Sequence, residues 1–263
     1  MALNFGQHPD VVYEKAPLAT VMCQVKFSPI LSLAVAEGVA GFQQALRKDY
    51  PNFPAPQQSA SVQVGPISSV NVSPPVWRLL DADSNWTVGV AVDFVSLETP
   101  RYTSIEDFLE RLDRVLNVIA RTIQPSLSGR VGLRKVNIIE APVEQDPSSF
   151  SGVIRPEFLG PLGLDNWPVP IAGAASQLHF NESDDTGLVV RSGIGRDDAG
   201  KLGFVLDMDY FTDRPFEVQG GGDLTESLRQ FSDSMTSFFH WAVMPDYLNT
   251  LSPHPRQTDL KGS

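Results

Sequence analysis

The chain holds one cysteine, Cys23, among 263 residues. A lone thiol excludes a disulfide framework within the chain and a cysteine-rich zinc site. Basic residues are also scarce: 20 Lys and Arg stand against 31 Asp and Glu, a formal charge of −11. That balance opposes nucleic-acid or generic phosphate binding, which needs clustered cations. It favours solubility and suits a basic protein partner. Long apolar runs are missing, and no window approaches the ~18 unbroken apolar residues of a membrane span. Met1 to His8 show no basic stretch leading into an apolar run, so no signal peptide is read and a cytoplasmic protein is expected. The four histidines, His8, His179, His240 and His254, form no H-x-x-x-H pair, and no G-x-S-x-G elbow is present.

The apolar share, 42%, is enough for a sizeable core. Its spacing alternates between two periods. Val11 to Ile30 contains a strand pattern that Ser28-Pro29 ends. Val35, Val39, Phe42 and Leu46 give a helical stripe over about Leu33 to Tyr50, stopped by Pro51. Strand patterns follow at Val62 to Val72, interrupted by Gly65-Pro66. Trp77 to Leu80 and Trp86 to Val95 read as a hairpin. Ser104 predicts the N-cap of a helix over Ile105 to Ile123, with Asp107 at the capping-box position. Arg130 to Glu140, Gln177 to Asn181, Gly187 to Gly195 and Lys201 to Phe211 read as strands. A short helical turn is predicted near Glu157. A last helix follows Gly220 to Gly222 and breaks near Pro245.

One offset runs through this pattern: Asp209 stands 116 residues after Asp93 (209 − 93). The same shift carries Val88, Val90, Val92 and Phe94 onto Phe204, Leu206, Met208 and Tyr210. It also carries Phe108, Leu112, Val115 and Ile119 onto Leu224, Leu228, Phe231 and Met235. The expected fold class is therefore α+β, in two pseudo-repeated halves, each a curved antiparallel sheet packed against a long helix. The halves are residues 1–128 and 129–251, followed by a disordered tail at 252–263.

Two segments carry a family resemblance: Tyr13-Glu14-Lys15-Ala16-Pro17-Leu18 and Gly132-Leu133-Arg134-Lys135-Val136-Asn137. With Asp93, Tyr102 and the helix after it, they resemble a sporadically distributed family of uncharacterised bacterial proteins of about this length. The resemblance covers most of the chain. It implies a bacterial or phage-related cytoplasmic protein and brings no activity or catalytic residues. The family's patchy distribution implies mobile elements, such as toxin–antitoxin or phage-defence loci.

Candidate chemistry is sparse. Asp207-Met208-Asp209 puts two carboxylates on one strand face, where they could share a divalent cation. Only Asp209 has a counterpart at the repeat offset, which favours a structural partner such as Arg134 or Arg191. Cys23, among apolar neighbours, reads as a buried inert thiol. Gly220 to Gly222 could cradle a phosphate at a helix start, but Asp223 and Glu226 already place negative charge there. Arg191 to Arg196 holds two arginines and two glycines, either an anion site or a glycine-adapted hairpin. Trp77 and Trp86 read as packing residues.

Two functions fit. The first is a non-enzymatic component that binds another protein through the sheet surface or acidic helix faces, as in a toxin–antitoxin, immunity or phage-defence system. The second is a ligand-binding or metal-dependent hydrolytic enzyme with a site between the halves, near Asp93, Arg134, Arg191 and Asp209. No cofactor is expected for the first reading, and both allow a homo-oligomer.

Overall fold

The computed structural model describes residues 3–57, 60–63, 69–125, 128–143, 146–163, 168–169, 171, 173–196, 199–216 and 222–255. In chain order the elements are β1 (Val11–Tyr13), β2 (Leu18–Phe27), α1 (Ala36–Leu46), β3 (Ala60–Gln63), β4 (Ser69–Val72), β5 (Trp77–Leu80), β6 (Thr87–Ala91) and β7 (Phe94–Thr99). Then come α2 (Ile105–Thr122), β8 (Ser128–Glu140), α3 (Pro156–Leu159), β9 (Ala174–Asn181), β10 (Thr186–Arg196), β11 (Leu202–Thr212), α4 (Gly222–Ala242), α5 (Pro245–Thr250) and β12 (Pro253–Pro255).

Eight strands form one antiparallel sheet in the order β5-β6-β7-β2-β8-β11-β10-β9. This corrects the expectation of two halves, each a curved sheet with its own helix. β2 and β8 pair along their length, so a single ladder runs through the middle of the molecule where two sheets were expected to meet. The offset of 116 residues fails for a local reason. Val92-Asp93 is a two-residue turn that joins β6 to β7, with Ala91 opposite Phe94. The matching residues, Met208 and Asp209, lie mid-strand in the unbroken β11. A hairpin was therefore aligned with one straight strand. The turn carries no Gly, Pro or Asn and neither residue takes positive φ, so the usual punctuation is missing.

The helices form where the stripes predict. Ser104 caps α2, its Oγ accepting from Asp107 N at 3.1 Å. Phe108, Leu112, Val115 and Ile119 on α2 are buried, as are Leu228, Phe231 and Met235 on α4. They join a core with Val21, Cys23 and Val25 of β2, Leu133 of β8 and Phe204, Leu206 and Tyr210 of β11. Tyr210 stacks on Phe231 with ring centres 4.3 Å apart. One sheet face is thereby covered by helices. Truncating Leu112 to Ala in this core costs about 2–5 kcal/mol.

The two sheet edges differ. Beside β5, Asn52 and Gln57 make backbone bonds to Leu80 and Val76. β9 forms the other edge and is largely exposed. Pro253–Pro255, placed in the expected tail, pairs with β1. Residues 256–263 lie outside the described residues, as do Gly220, Gly221 and the Gly65-Pro66 interruption.

Candidate functional site

The sheet face that no described helix covers is polar because of strand alternation. β8 turns Leu133, Lys135, Asn137 and Ile139 toward the helices, where they are buried, and Arg130, Gly132 and Arg134 away. β11 turns Leu206, Met208 and Tyr210 inward and Asp207, Asp209 and Phe211 outward. Register then fixes the neighbours: Arg134 lies opposite Asp209 and Met22, and Asp207 opposite Val136 and Arg191.

Three of the four residues singled out from the sequence meet here: Arg134, Arg191 and Asp209. Their hub is Asp207. Arg134 donates from Nε to Asp207 Oδ1 at 2.7 Å and from Nη2 to Oδ2 at 2.8 Å. Arg191 Nη1 adds a 3.4 Å bond to Oδ2. The bidentate fork is the strong form of this contact. The hydrogen bond to Asp207 raises the Arg134 pKa further above its ordinary value. Both Asp207 oxygens are thus committed to guanidinium groups. Among the described residues, no group of three or more His, Cys, Asp or Glu side chains is placed to hold a metal ion.

Asp209 differs from Asp207. Its carboxylate accepts no hydrogen bond among the described residues, and Arg130 Nη2 stands 3.8 Å away. Burial raises its pKa, against the opposing pull of Arg130 and Arg191. The carboxylate sits over Gly132, where an added Cβ would come within 3.1 Å of Oδ1. Around it lies a recess of about 220 Å³ lined by Met22, Gln24, Arg130, Gly132, Arg134 and Asp209. Arg130 also bonds Asp213 at 3.2 Å and lies 3.7 Å from the Phe211 ring centre.

Asp93 is not brought to this cluster. It occupies the β6–β7 turn, and its carbonyl accepts from Phe27 N at 2.9 Å. Glu98, opposite Met22, marks the cluster's row on β7, so the turn lies roughly 16 Å further along the strand. Of the two glycines after Arg191, Gly193 serves packing, while a Cβ on Gly195 would meet nothing within 4 Å. A Cβ on Gly193 would meet Ala174 O at 2.1 Å, so glycine is what lets β9 approach β10. Cys23 is fully buried, its thiol pushed up to about 12 by desolvation. Trp77 and Trp86 are buried; Trp77 Nε1 donates to Leu33 O at 2.8 Å.

Sequence reasoning named the carboxylate pair but missed which of the two the arginines hold. The available signal was the D-x-D alternation; the register that decides the pairing is set by distant segments. It named Lys135 and Asn137 only within a resemblance segment and not as site candidates; both are polar residues buried on the helix-facing side of β8. No protein-family model matches this chain, and no curated protein matches it.

Proposed function

We propose that the protein is a non-enzymatic binding protein whose open sheet face takes up another protein, with a lysine or arginine of that partner entering the Asp209 recess. One observation carries this reading. Asp209 is a partly desolvated carboxylate in a recess, and it accepts no hydrogen bond from the described residues. Such a group gains most from an incoming donor. The Arg134–Asp207–Arg191 cluster supports it by holding the recess wall in place. The chain's charge of −11 favours a basic partner over long range. On the family resemblance, that partner is the product of a flanking gene in a toxin–antitoxin, immunity or phage-defence locus. A metal-dependent hydrolytic centre is the less favoured reading, because Asp207 already gives both oxygens to arginines.

Co-expression with the products of flanking genes tests this reading. A complex is expected to form with the wild-type chain and to weaken about tenfold or more in Asp209→Asn, the scale of a lost charge-assisted contact. An unchanged affinity in Asp209→Asn, or no complex with any flanking product, contradicts it.

A second reading rests on β9. This edge strand contains no Asp, Glu, Lys or Arg, and among the described residues its outer edge receives no backbone hydrogen bond. Natural edges are usually protected by charge or proline. Pairing of β9 with β9 of a second copy would bury it without charge repulsion along the strand. Light scattering that reports a monomer at high concentration contradicts that pairing.

A further inference from the structure

The helix-covered face of the sheet holds a cavity of about 140 Å³. One wall is a stripe of α4: Ser232, Met235, Thr236, Phe239 and His240 fall at i, i+3, i+4, i+7 and i+8, a single helix face. Strand alternation brings Lys135 of β8 and Met208 of β11 to the same space. Tyr102, just before α2, and Tyr13 and Leu18, from β1 and β2, add to the lining. Tyr13, Leu18 and His240 are partly exposed, so the cavity reaches solvent past them. A cavity of roughly 150 Å³ with an apolar lining is large enough for benzene, so the space here admits one ring.

Two properties of the lining decide what it can take up. The first is its ring content. The Tyr13 ring centre lies 5.6 Å from that of His240 and 6.5 Å from that of Phe239, and Phe239 meets His240 edge-on at 5.9 Å. Tyr102 is the fourth ring. A ring placed among such neighbours gains stacked or edge-on contacts beyond its area burial. Met208 and Met235 add adaptable, polarizable sulfur that packs well on ring edges.

The second property is charge. Lys135 Nζ already donates to Ser232 Oγ at 2.8 Å, Ser232 O at 3.2 Å and Thr236 Oγ1 at 3.3 Å. Its ammonium also lies 5.6 Å from the Tyr102 ring centre. No buried side-chain nitrogen or oxygen among the described residues lacks a hydrogen-bond partner. Burial and the nearby His8 push the His240 pKa down to about 4, so that ring is neutral at pH 7. An anion would have to displace bonds that Lys135 already makes, and a cation would meet its charge. A neutral guest does neither and leaves every existing bond in place.

We propose that this cavity binds a small neutral aromatic molecule of one ring, held among Tyr13, Phe239 and His240 and seated on Met208 and Met235. The site is on the helix-covered face and is independent of the reading for Asp209.

Isothermal titration of the full chain at pH 7 with phenol, cyclohexanol and benzoate tests it. Saturable binding of phenol at one site is expected, about threefold or more tighter than cyclohexanol, the scale of aromatic contacts, and tighter than benzoate. Leu18→Trp, which puts a ring of the protein's own into the space, is expected to weaken phenol binding about tenfold or more. Because an added ring could disturb folding, Tyr13→Leu serves as a second variant at a partly exposed position. It is expected to remove the preference for phenol over cyclohexanol while the melting temperature shows the chain folded. Four results each overturn the proposal: no saturable phenol binding at millimolar concentration, cyclohexanol bound as tightly as phenol, benzoate bound as tightly as phenol, or phenol binding unchanged in folded Leu18→Trp or Tyr13→Leu.

Discussion

Arg134 stands directly opposite Asp209 across the β8–β11 ladder, yet gives both of its short hydrogen bonds to Asp207, the diagonal neighbour. Diagonal pairs are within reach of long side chains on an antiparallel sheet. Asp207 is therefore the structural carboxylate of the two. Asp207→Asn is expected to lower stability by about 1–3 kcal/mol, the range for hydrogen bonds to charged groups. Arg134 and Arg191 are partly exposed and can rehydrate, which keeps the loss near the lower end. Urea unfolding measures it; a loss below the error of the fit contradicts the assignment.

Asp209 is expected to behave in the opposite way. Its folded-state pKa is raised, so the fold favours the protonated form. The stability it contributes is fully present below its ordinary pKa of 3.8 and is lost as pH rises through the raised value. At neutral pH the ionised group is a burden on the fold. Asp209→Asn is therefore expected to leave the melting temperature at pH 7 unchanged or higher. A fall like that of Asp207→Asn contradicts this. Binding groups commonly carry such a stability cost.

His240 sets an acid-side limit. Burial and the nearby His8 lower its pKa from 6.5 to about 4. His8 stacks on it at 5.4 Å, and the Tyr13 ring lies 5.6 Å away. A lowered pKa means the fold favours the neutral ring. The corresponding stability is present above pH 6.5 and is lost as pH falls from there toward about 4. Unfolding free energies measured across that window should fall less steeply for His240→Phe than for the wild type. Identical slopes contradict the assignment.

Cys23 offers a probe of the whole fold. It lies in the central strand β2 with no exposed surface, and its thiol is pushed up to about 12. Alkylation is expected only through global unfolding, because the thiolate is the nucleophile. Its labelling rate should therefore track denaturant concentration along the global transition. Fast labelling of the native protein contradicts burial in the sheet centre.

Most elements were legible because their periods are strong. Phe108, Leu112, Val115 and Ile119 give α2, and Ser104 marks its start. The number of sheets was not legible, because Val92-Asp93 turns the chain without glycine or proline and the run from Trp86 to Val95 reads as one strand. That single missed turn also created the apparent repeat. The candidate site was half legible. Alternation places Asp207 and Asp209 on one face from sequence alone. Which arginine meets which carboxylate depends on the β8–β11 and β10–β11 registers, and those are fixed by contacts far apart in the chain. Lys135 and Asn137 were not named as site candidates for a related reason. Alternation gives their face, but only the packing of α4 shows that Ser232 and Thr236 bond Lys135.

Zero-length carbodiimide cross-linking of the purified complex tests the central claim most directly. It joins a carboxylate to an amine only where the two touch. If a partner lysine fills the recess, mass spectrometry should find it bonded to Asp209, and the product should vanish in Asp209→Asn. Cross-links confined to the acidic helix faces, with Asp209 unmodified and Asp209→Asn indistinguishable from wild type, would contradict it.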